Sequence, residues 1–132
     1  MNKIIDLLGD NMIKIGGNRI VFVFKYIPYI IKIPNLKYGF KLGMESNKQE
    51  YKYSKLKRED LCEVKFNLFN ILILMDKADV ISNNISWLEF QNYIENKYRY
   101  DNMSSFMLED IKPSNWGILN GKLVKIDYGK IK

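Results

Sequence analysis

The sequence contains no histidine, one cysteine and only three prolines among its 132 residues. The lack of histidine excludes Ser–His and Cys–His nucleophile systems and His-ligated metal sites. Acid–base chemistry must then come from Asp, Glu, Lys or Tyr, and any metal needs oxygen ligands, which suits Mg²⁺. Cys62 has no second cysteine as a disulfide partner, so we expect an intracellular (cytoplasmic) chain in which Cys62 is a small core residue.

Long apolar runs and arginines are also scarce. No window approaches about eighteen consecutive apolar residues, so we expect no membrane span. The first ten residues contain Asp6 within a short apolar run and do not resemble a signal peptide. The net charge is +6, but the lysines are scattered along the chain, so a nucleic-acid partner is admissible but not favoured.

Apolar residues make up 47% of the chain and aromatic residues 14%, which is typical of one globular domain with a modest core. Gly16-Gly17-Asn18 and Pro28 separate three strand-like runs, which predict an antiparallel meander. Asn120-Gly121 is a hairpin signal between the last two runs. All the strand-like runs together cover residues 11–15, 19–25, 29–33, 62–70, 71–78, 105–109, 116–120 and 123–127.

Two capping-box signatures predict helices. Ser46, with Gln49 three residues later, predicts a helix over residues 47–58, and Ser86 with Glu89 predicts one over residues 87–99. The order βββ-α-ββ-α-βββ then predicts an α+β chain dominated by antiparallel sheet. The apolar face of the second helix comprises Trp87, Phe90, Ile94 and Tyr98.

Residues with the chemistry of phosphoryl transfer occur in two places. Near the end of the sequence, Asp110-Ile-Lys-Pro-Ser-Asn115 is followed, twelve residues after Asn115, by Asp127-Tyr-Gly129. Upstream, Lys32 lies on a predicted strand and Glu50 on a predicted helix. Phosphoryl transfer needs a cation on the phosphates, oxygen ligands for Mg²⁺ and a carboxylate near the attacking hydroxyl, and this set contains all three.

The order of these residues resembles the protein-kinase signature set: a strand Lys, a helix Glu, D-[L/I]-K-x-x-N and D-F-G. The resemblance covers nearly the whole chain and implies one kinase-like domain. Residues 1–78 would form the small lobe, an antiparallel sheet plus one helix. Residues 79–132 would form a truncated large lobe, with one helix and a catalytic-loop hairpin. The N-W-G-I…I-D-Y-G ending is also similar to that of small phage-encoded kinase-like proteins.

The resemblance implies an ATP site in the first part of the chain. Lys32 would hold the α- and β-phosphates, and Glu50 would orient Lys32 through an ion pair. The adenine would lie between the two lobes, hydrogen-bonded to strand backbone near Met75 to Ala78.

The resemblance also implies a catalytic and metal-binding group. Asp110 would accept the proton of the attacking hydroxyl as the catalytic base, and Lys112 would contact the γ-phosphate. Asn115 and Asp127 would ligate Mg²⁺.

Three features depart from the kinase pattern. The turn Gly16-Gly17-Asn18 is shorter than a G-x-G-x-x-G loop, and Leu108-Glu109 stands where the family has His-Arg. Only three residues follow Gly129, so we expect no activation segment and no peptide-docking helices. A lobe without those helices would expose apolar surface, which implies a protein partner or a homo-oligomer as its cover.

The residues leave three functions open. The first is a minimal kinase-like enzyme that uses ATP and Mg²⁺. The second is an inactive pseudokinase-type binding module, such as a phage or mobile-element inhibitor of a host defence or signalling protein. The third is an α+β domain in which the Asp, Asn, Gly and Pro residues only form turns. Trp116, which could stack on a base, is better explained as a core residue.

Overall fold

The computed structural model describes residues 3–6, 11–37, 39–81 and 85–129. The three residues that follow Gly129 lie outside this range. The described chain is an α+β protein with antiparallel strand pairing, which confirms that part of the expectation. The elements are β1 (Lys3–Asp6), β2 (Met12–Ile15), β3 (Arg19–Val23), β4 (Tyr29–Pro34), α1 (Phe40–Ser54), β5 (Val64–Leu68), β6 (Leu72–Asp76), β7 (Asp79–Val80), α2 (Trp87–Tyr98), α3 (Ser104–Met107), a 3₁₀ turn (Pro113–Asn115), β8 (Trp116–Leu119) and β9 (Lys122–Lys125).

The described chain forms two compact units. The first contains the residues up to Lys77 together with Tyr128 and Gly129, and the second is Ala78–Asp127. The single kinase-like domain with a small lobe over residues 1–78 and a truncated large lobe over residues 79–132 stays a prediction. Over the described residues, none of the helices has the length and apolar character that a membrane crossing would need.

The first unit is built on a six-stranded sheet in the order β1-β2-β3-β4-β6-β5. β2, β3 and β4 form the predicted antiparallel meander, with Val21 opposite Lys32 and Ile20 opposite Ile33. Because side chains alternate between the two faces of a strand, Val21 and Lys32 share one face and Ile20 and Ile33 the other. α1 packs against β4, β5 and β6.

Helix α1 begins seven residues before the predicted start. It runs from Phe40 to Ser54, so Ser46 is a buried mid-helix residue and the predicted capping box is wrong. Glycine permits the early start: a Cβ on Gly43 would lie 2.2 Å from the Asn18 carbonyl oxygen and 2.6 Å from the Pro34 Cα. The first turns of α1 therefore pack directly on the Gly16-Gly17-Asn18 turn and the end of β4.

The second unit confirms the other helix prediction. The Ser86 side chain accepts a hydrogen bond from the Glu89 N–H, and α2 buries Phe90, Ile94 and Tyr98, although Trp87 is half exposed.

A three-stranded sheet, β7-β8-β9, completes this unit. Asn120 and Gly121 both have positive φ, as the predicted β8–β9 hairpin requires. The predicted strand over residues 105–109 is wrong, because residues Ser104–Met107 form the short helix α3.

Candidate functional site

Helix α1 presents a polar stripe to the interior of the first unit. Its buried residues are spaced three or four apart, so they lie on one helical face. In most surface helices this face is apolar. The buried residues of α1 are Gly43, Ser46, Asn47, Glu50 and Ser54.

Glu50 is fully buried and accepts hydrogen bonds from three groups. Arg19 donates through two nitrogens, at 2.7 Å to Oε1 and 3.1 Å to Oε2. The Lys32 Nζ lies 2.9 Å from Oε1 and 3.1 Å from Oε2. The backbone N–H of Tyr128 donates to Oε2 at 2.8 Å. Both Glu50 oxygens are therefore saturated with donors, two of which carry full positive charge.

These cations decide the charge state of Glu50. Burial alone would raise the pKa of its carboxyl, since a buried carboxylate loses its hydration. The charges of Arg19 and Lys32 and their hydrogen bonds outweigh burial and lower the pKa from 4.5 to about 2. Glu50 is therefore ionised at neutral pH.

Asn47 ties this cluster to the surrounding backbone. Its Oδ1 accepts from Arg19 at 3.2 Å, and its Nδ2 donates to the carbonyl oxygens of Lys32 at 3.3 Å and Asn70 at 2.9 Å. We call Arg19, Lys32, Asn47 and Glu50 the Glu50 cluster. Its four side chains come from β3, β4 and α1 and are all at least nine-tenths buried.

Tyr128 completes the first unit beside the Glu50 cluster. Its side chain is buried, its hydroxyl donates to the Cys62 carbonyl oxygen, and its own carbonyl accepts from Gln49 at 2.7 Å. Burial, reinforced by the nearby Glu50 carboxylate, raises the pKa of the Tyr128 phenol. Gln49, expected to cap a helix, instead holds the Asp-Tyr-Gly segment. Cys62 is fully buried, as expected of a core residue.

In the second unit, the residues from Asp110 to Asn115 form a compact loop. Asp110 has φ of 52°, a left-handed conformation that Asp tolerates better than most residues. Its carbonyl oxygen accepts from the Lys112 N–H at 2.9 Å and from the Asn115 Nδ2 at 3.0 Å. Lys112 itself is exposed and its carbonyl accepts from the Asn115 N–H. The Asn115 amide thus closes the loop that positions Asp110.

Asn115 and Asp127 are neighbours through the main chain. The Asn115 carbonyl oxygen accepts from the N–H groups of Ile126 at 2.8 Å and Asp127 at 3.4 Å. The side chains of Asp127 and Asn115 offer one carboxylate and one amide oxygen. These ligand types fit Mg²⁺, which commonly binds one or two protein groups together with substrate phosphates. Within the described part of the chain, no three carboxylate or thiol side chains form a group that could hold a metal by themselves.

Lys125 is a buried cation that the sequence did not single out. It is 2% exposed, and its Nζ donates to the carbonyl oxygens of Phe106 within α3, at 2.9 Å, and of Glu109, two residues past the end of α3, at 3.0 Å. It therefore fixes the backbone immediately before Asp110. Trp116 is fully buried against Phe90 and Tyr98, as expected for a core residue.

Met75 and Ala78, expected near the adenine, lie in different units. Met75 is fully buried in β6 and is flanked on both sides by strands, opposite Ile30 in β4 and Val64 in β5. Ala78 is half-buried at the start of the second unit. Their role in binding adenine stays a prediction.

The structure thus brings Lys32 and Glu50 together in one unit, and Asp110, Asn115 and Asp127 are neighbours in the loop and strand end of the other. The sequence missed Arg19, although it precedes Val21 by two positions and so lies on the Lys32 face of the sheet. Comparison with protein-family models found no matching family, and a search of curated proteins found no match.

Proposed function

We propose that this chain is a minimal kinase-like protein that binds ATP with Mg²⁺. The observation that carries the proposal is the buried ion pair between Lys32 and Glu50, 2.9 Å apart. A strand lysine fixed by a helix glutamate is the pairing that the kinase resemblance implies for holding the nucleotide phosphates. A buried carboxylate of low pKa keeps such a lysine in one position.

The loop from Asp110 to Asn115 supports the same proposal. The left-handed backbone of Asp110, and the hydrogen bond from the Asn115 side-chain amide to the Asp110 carbonyl oxygen, hold both residues in a defined loop. A catalytic-loop Asp and a metal-binding Asn require such a fixed loop. We assign Asp110 to the hydroxyl proton, Lys112 to the γ-phosphate, and Asn115 with Asp127 to Mg²⁺. Bound Mg²⁺ would neutralise the phosphate charge, and Asn115 and Asp127 would hold the metal ion in place.

One observation favours the second function, an inactive binding module. Lys32 and Arg19 are only 3% and 9% exposed, and both are engaged with Glu50. A phosphate could reach the lysine only if these contacts rearranged. In a binding module, the Glu50 cluster would stabilise the fold, and the protein would act on a partner by contact, as a phage or mobile-element inhibitor would.

Thermal-shift titrations with ATP, with and without Mg²⁺, distinguish the two. A ligand that binds only the folded state stabilises it by about 2.7 kcal/mol at a hundred times its Kd. We expect a rise in Tm that requires Mg²⁺ and is reduced in Asp127→Asn. Asp79→Asn, an exposed carboxylate in the same unit, is the matched control.

The outcomes separate binding from transfer. No stabilisation of the intact chain by millimolar MgATP would refute the proposed ATP binding and favour the binding module. If MgATP binds, radiolabel transfer to protein or small-molecule hydroxyls should be lost in Asp110→Asn. Binding without any transfer would identify a nucleotide-binding module that lacks catalysis.

A further inference from the structure

The turn between β5 and β6 is unusually apolar for its position. It comprises residues 68–71, which we call the hairpin tip. Leu68 is 44% exposed, Phe69 79% and Ile71 42%. Turns are normally rich in Gly, Asn, Asp, Ser and Pro, because these residues suit turn backbones and face water. Three exposed large apolar residues in one turn need an explanation other than the turn itself.

The backbone at Phe69 adds to the anomaly. The Ile71 N–H donates to the Leu68 carbonyl at 2.9 Å, and both central residues have positive φ, 50° for Phe69 and 61° for Asn70. Asn suits this left-handed conformation, but a bulky residue such as Phe is an outlier there. Phe69 is therefore strained without gaining burial, and such strain is often associated with binding sites.

Three asparagines hold this turn. The Asn67 side chain donates to the Asn70 Oδ1 and accepts from the Asn70 N–H, both at 2.9 Å. The Asn47 amide of the Glu50 cluster donates to the Asn70 carbonyl at 2.9 Å. The hairpin tip is thus fixed to helix α1, and Phe69 is presented to solvent by a rigid turn. Rigid presentation lowers the entropy lost when a side chain docks into a partner.

Charge indicates the kind of partner. Asn47, which holds the tip, is followed on α1 by the exposed Lys48. This lysine belongs to a row of exposed residues at helical spacing, in which the only acid is Glu45. We call this row the basic row; it comprises Lys41, Glu45, Lys48, Lys52 and Lys55.

The basic row lies on the solvent face of α1, opposite its buried stripe, and gives the first unit a positive potential. This potential attracts an acidic partner and repels another copy of a chain whose net charge is +6. We propose that the hairpin tip and the basic row of α1, the helix to which Asn47 ties the tip, form a docking surface for an acidic protein partner. Phe69 inserts into an apolar pocket of that partner while the basic row pairs with its carboxylates. This surface does not depend on nucleotide binding.

The probe is a synthetic amphipathic peptide in which Glu alternates with Leu and Phe, with a matched peptide that carries Lys in place of Glu. Fluorescence anisotropy at low salt measures the binding of each peptide to the full chain. We expect the acidic peptide alone to bind. Phe69→Asn should weaken binding at least about tenfold, as loss of an aromatic anchor does. Lys48→Glu should weaken it several-fold.

Two controls keep the result specific. Tyr26→Asn removes an aromatic residue that is 88% exposed in another turn of the same unit and should leave binding unchanged. Phe69→Asn should raise Tm, because Asn relieves the left-handed strain. A raised Tm together with lost binding therefore separates docking from folding.

Any of four results would overturn the proposal. The first is no binding of the acidic peptide, and the second is equal binding of the basic one. The third is full affinity in Phe69→Asn. The fourth is concentration-dependent dimerisation in sedimentation that Phe69→Asn abolishes, which would make the occupant a second copy of the chain.

Discussion

Replacing Glu50 by Gln tests the Glu50 cluster most directly. The variant keeps the side-chain shape but removes the negative charge that Arg19 and Lys32 share in the interior. Removing one partner of a buried ion pair costs about 3–5 kcal/mol, because the remaining charge stays buried. The pKa of Glu50 gives a similar figure. Its lowering from 4.5 to about 2 corresponds to roughly 3 kcal/mol of stabilisation at neutral pH.

A loss of this size should lower Tm by roughly 10 °C for a chain of this length. Urea unfolding followed by far-UV circular dichroism, with hydrogen exchange at the amides of α1, measures the loss in the first unit. Glu45→Gln is the matched control, since Glu45 is exposed on the same helix and should change stability by less than about 0.5 kcal/mol.

The pH dependence provides a second arm of the same test. Because the pKa of Glu50 is depressed in the folded state, its contribution is complete above pH 4.5 and is lost as pH falls toward about 2. Glu50→Gln should lack this part of the acid destabilisation. A variant within about 1 kcal/mol of the parent, with an unchanged acid profile, would refute the stabilising role of the cluster.

Two further outcomes follow from packing. Gly43→Ala should destabilise the chain by more than about 2 kcal/mol in urea unfolding, because its Cβ would overlap the Asn18 and Pro34 backbone. Gly17→Ala is the control and should be neutral, because the space around Gly17 is open. Cys62 is fully buried, and burial raises the pKa of its thiol to about 12, so a thiol reagent should label it only in denaturant; rapid labelling of the native chain would contradict this burial.

Local signals predicted the elements whose stability is local. The β2–β4 meander follows from strand-like runs between Gly and Pro turns. The β8–β9 hairpin follows from Asn120-Gly121, and the start of α2 from the Ser86 cap. Each of these depends on neighbouring residues, which a sequence displays directly.

Helix α1 was misplaced because its buried face is polar. Ser46 reads as a cap when its surroundings are unknown, yet it lies on a face that meets Arg19 and Lys32 rather than an apolar core. Hydrophobic periodicity cannot detect a helix that buries Asn47 and Glu50. The position of Gly43 against the β4 end would have located the start, but that contact is long-range.

The sequence predicted only those residues of the candidate site that belong to a recognisable motif. Motif order identified Lys32 and Glu50, whose ion pair the structure contains. Arg19 and Lys125 belong to no motif and act through tertiary contacts. Arg19 contacts Glu50, and Lys125 contacts backbone carbonyls within and just after α3. Only the strand register and the fold bring such residues to their partners.

The return of Tyr128 to the first unit bears on the order in which the protein folds during synthesis. The ribosome produces Arg19, Lys32 and Glu50 long before Tyr128, whose backbone N–H supplies one of the Glu50 contacts. A nascent chain can form the sheet early but can complete this carboxylate site only after translation has passed the whole second unit. A shortened chain that stops at Lys77 would lack Tyr128, so its Glu50 carboxylate would never gain this backbone hydrogen bond.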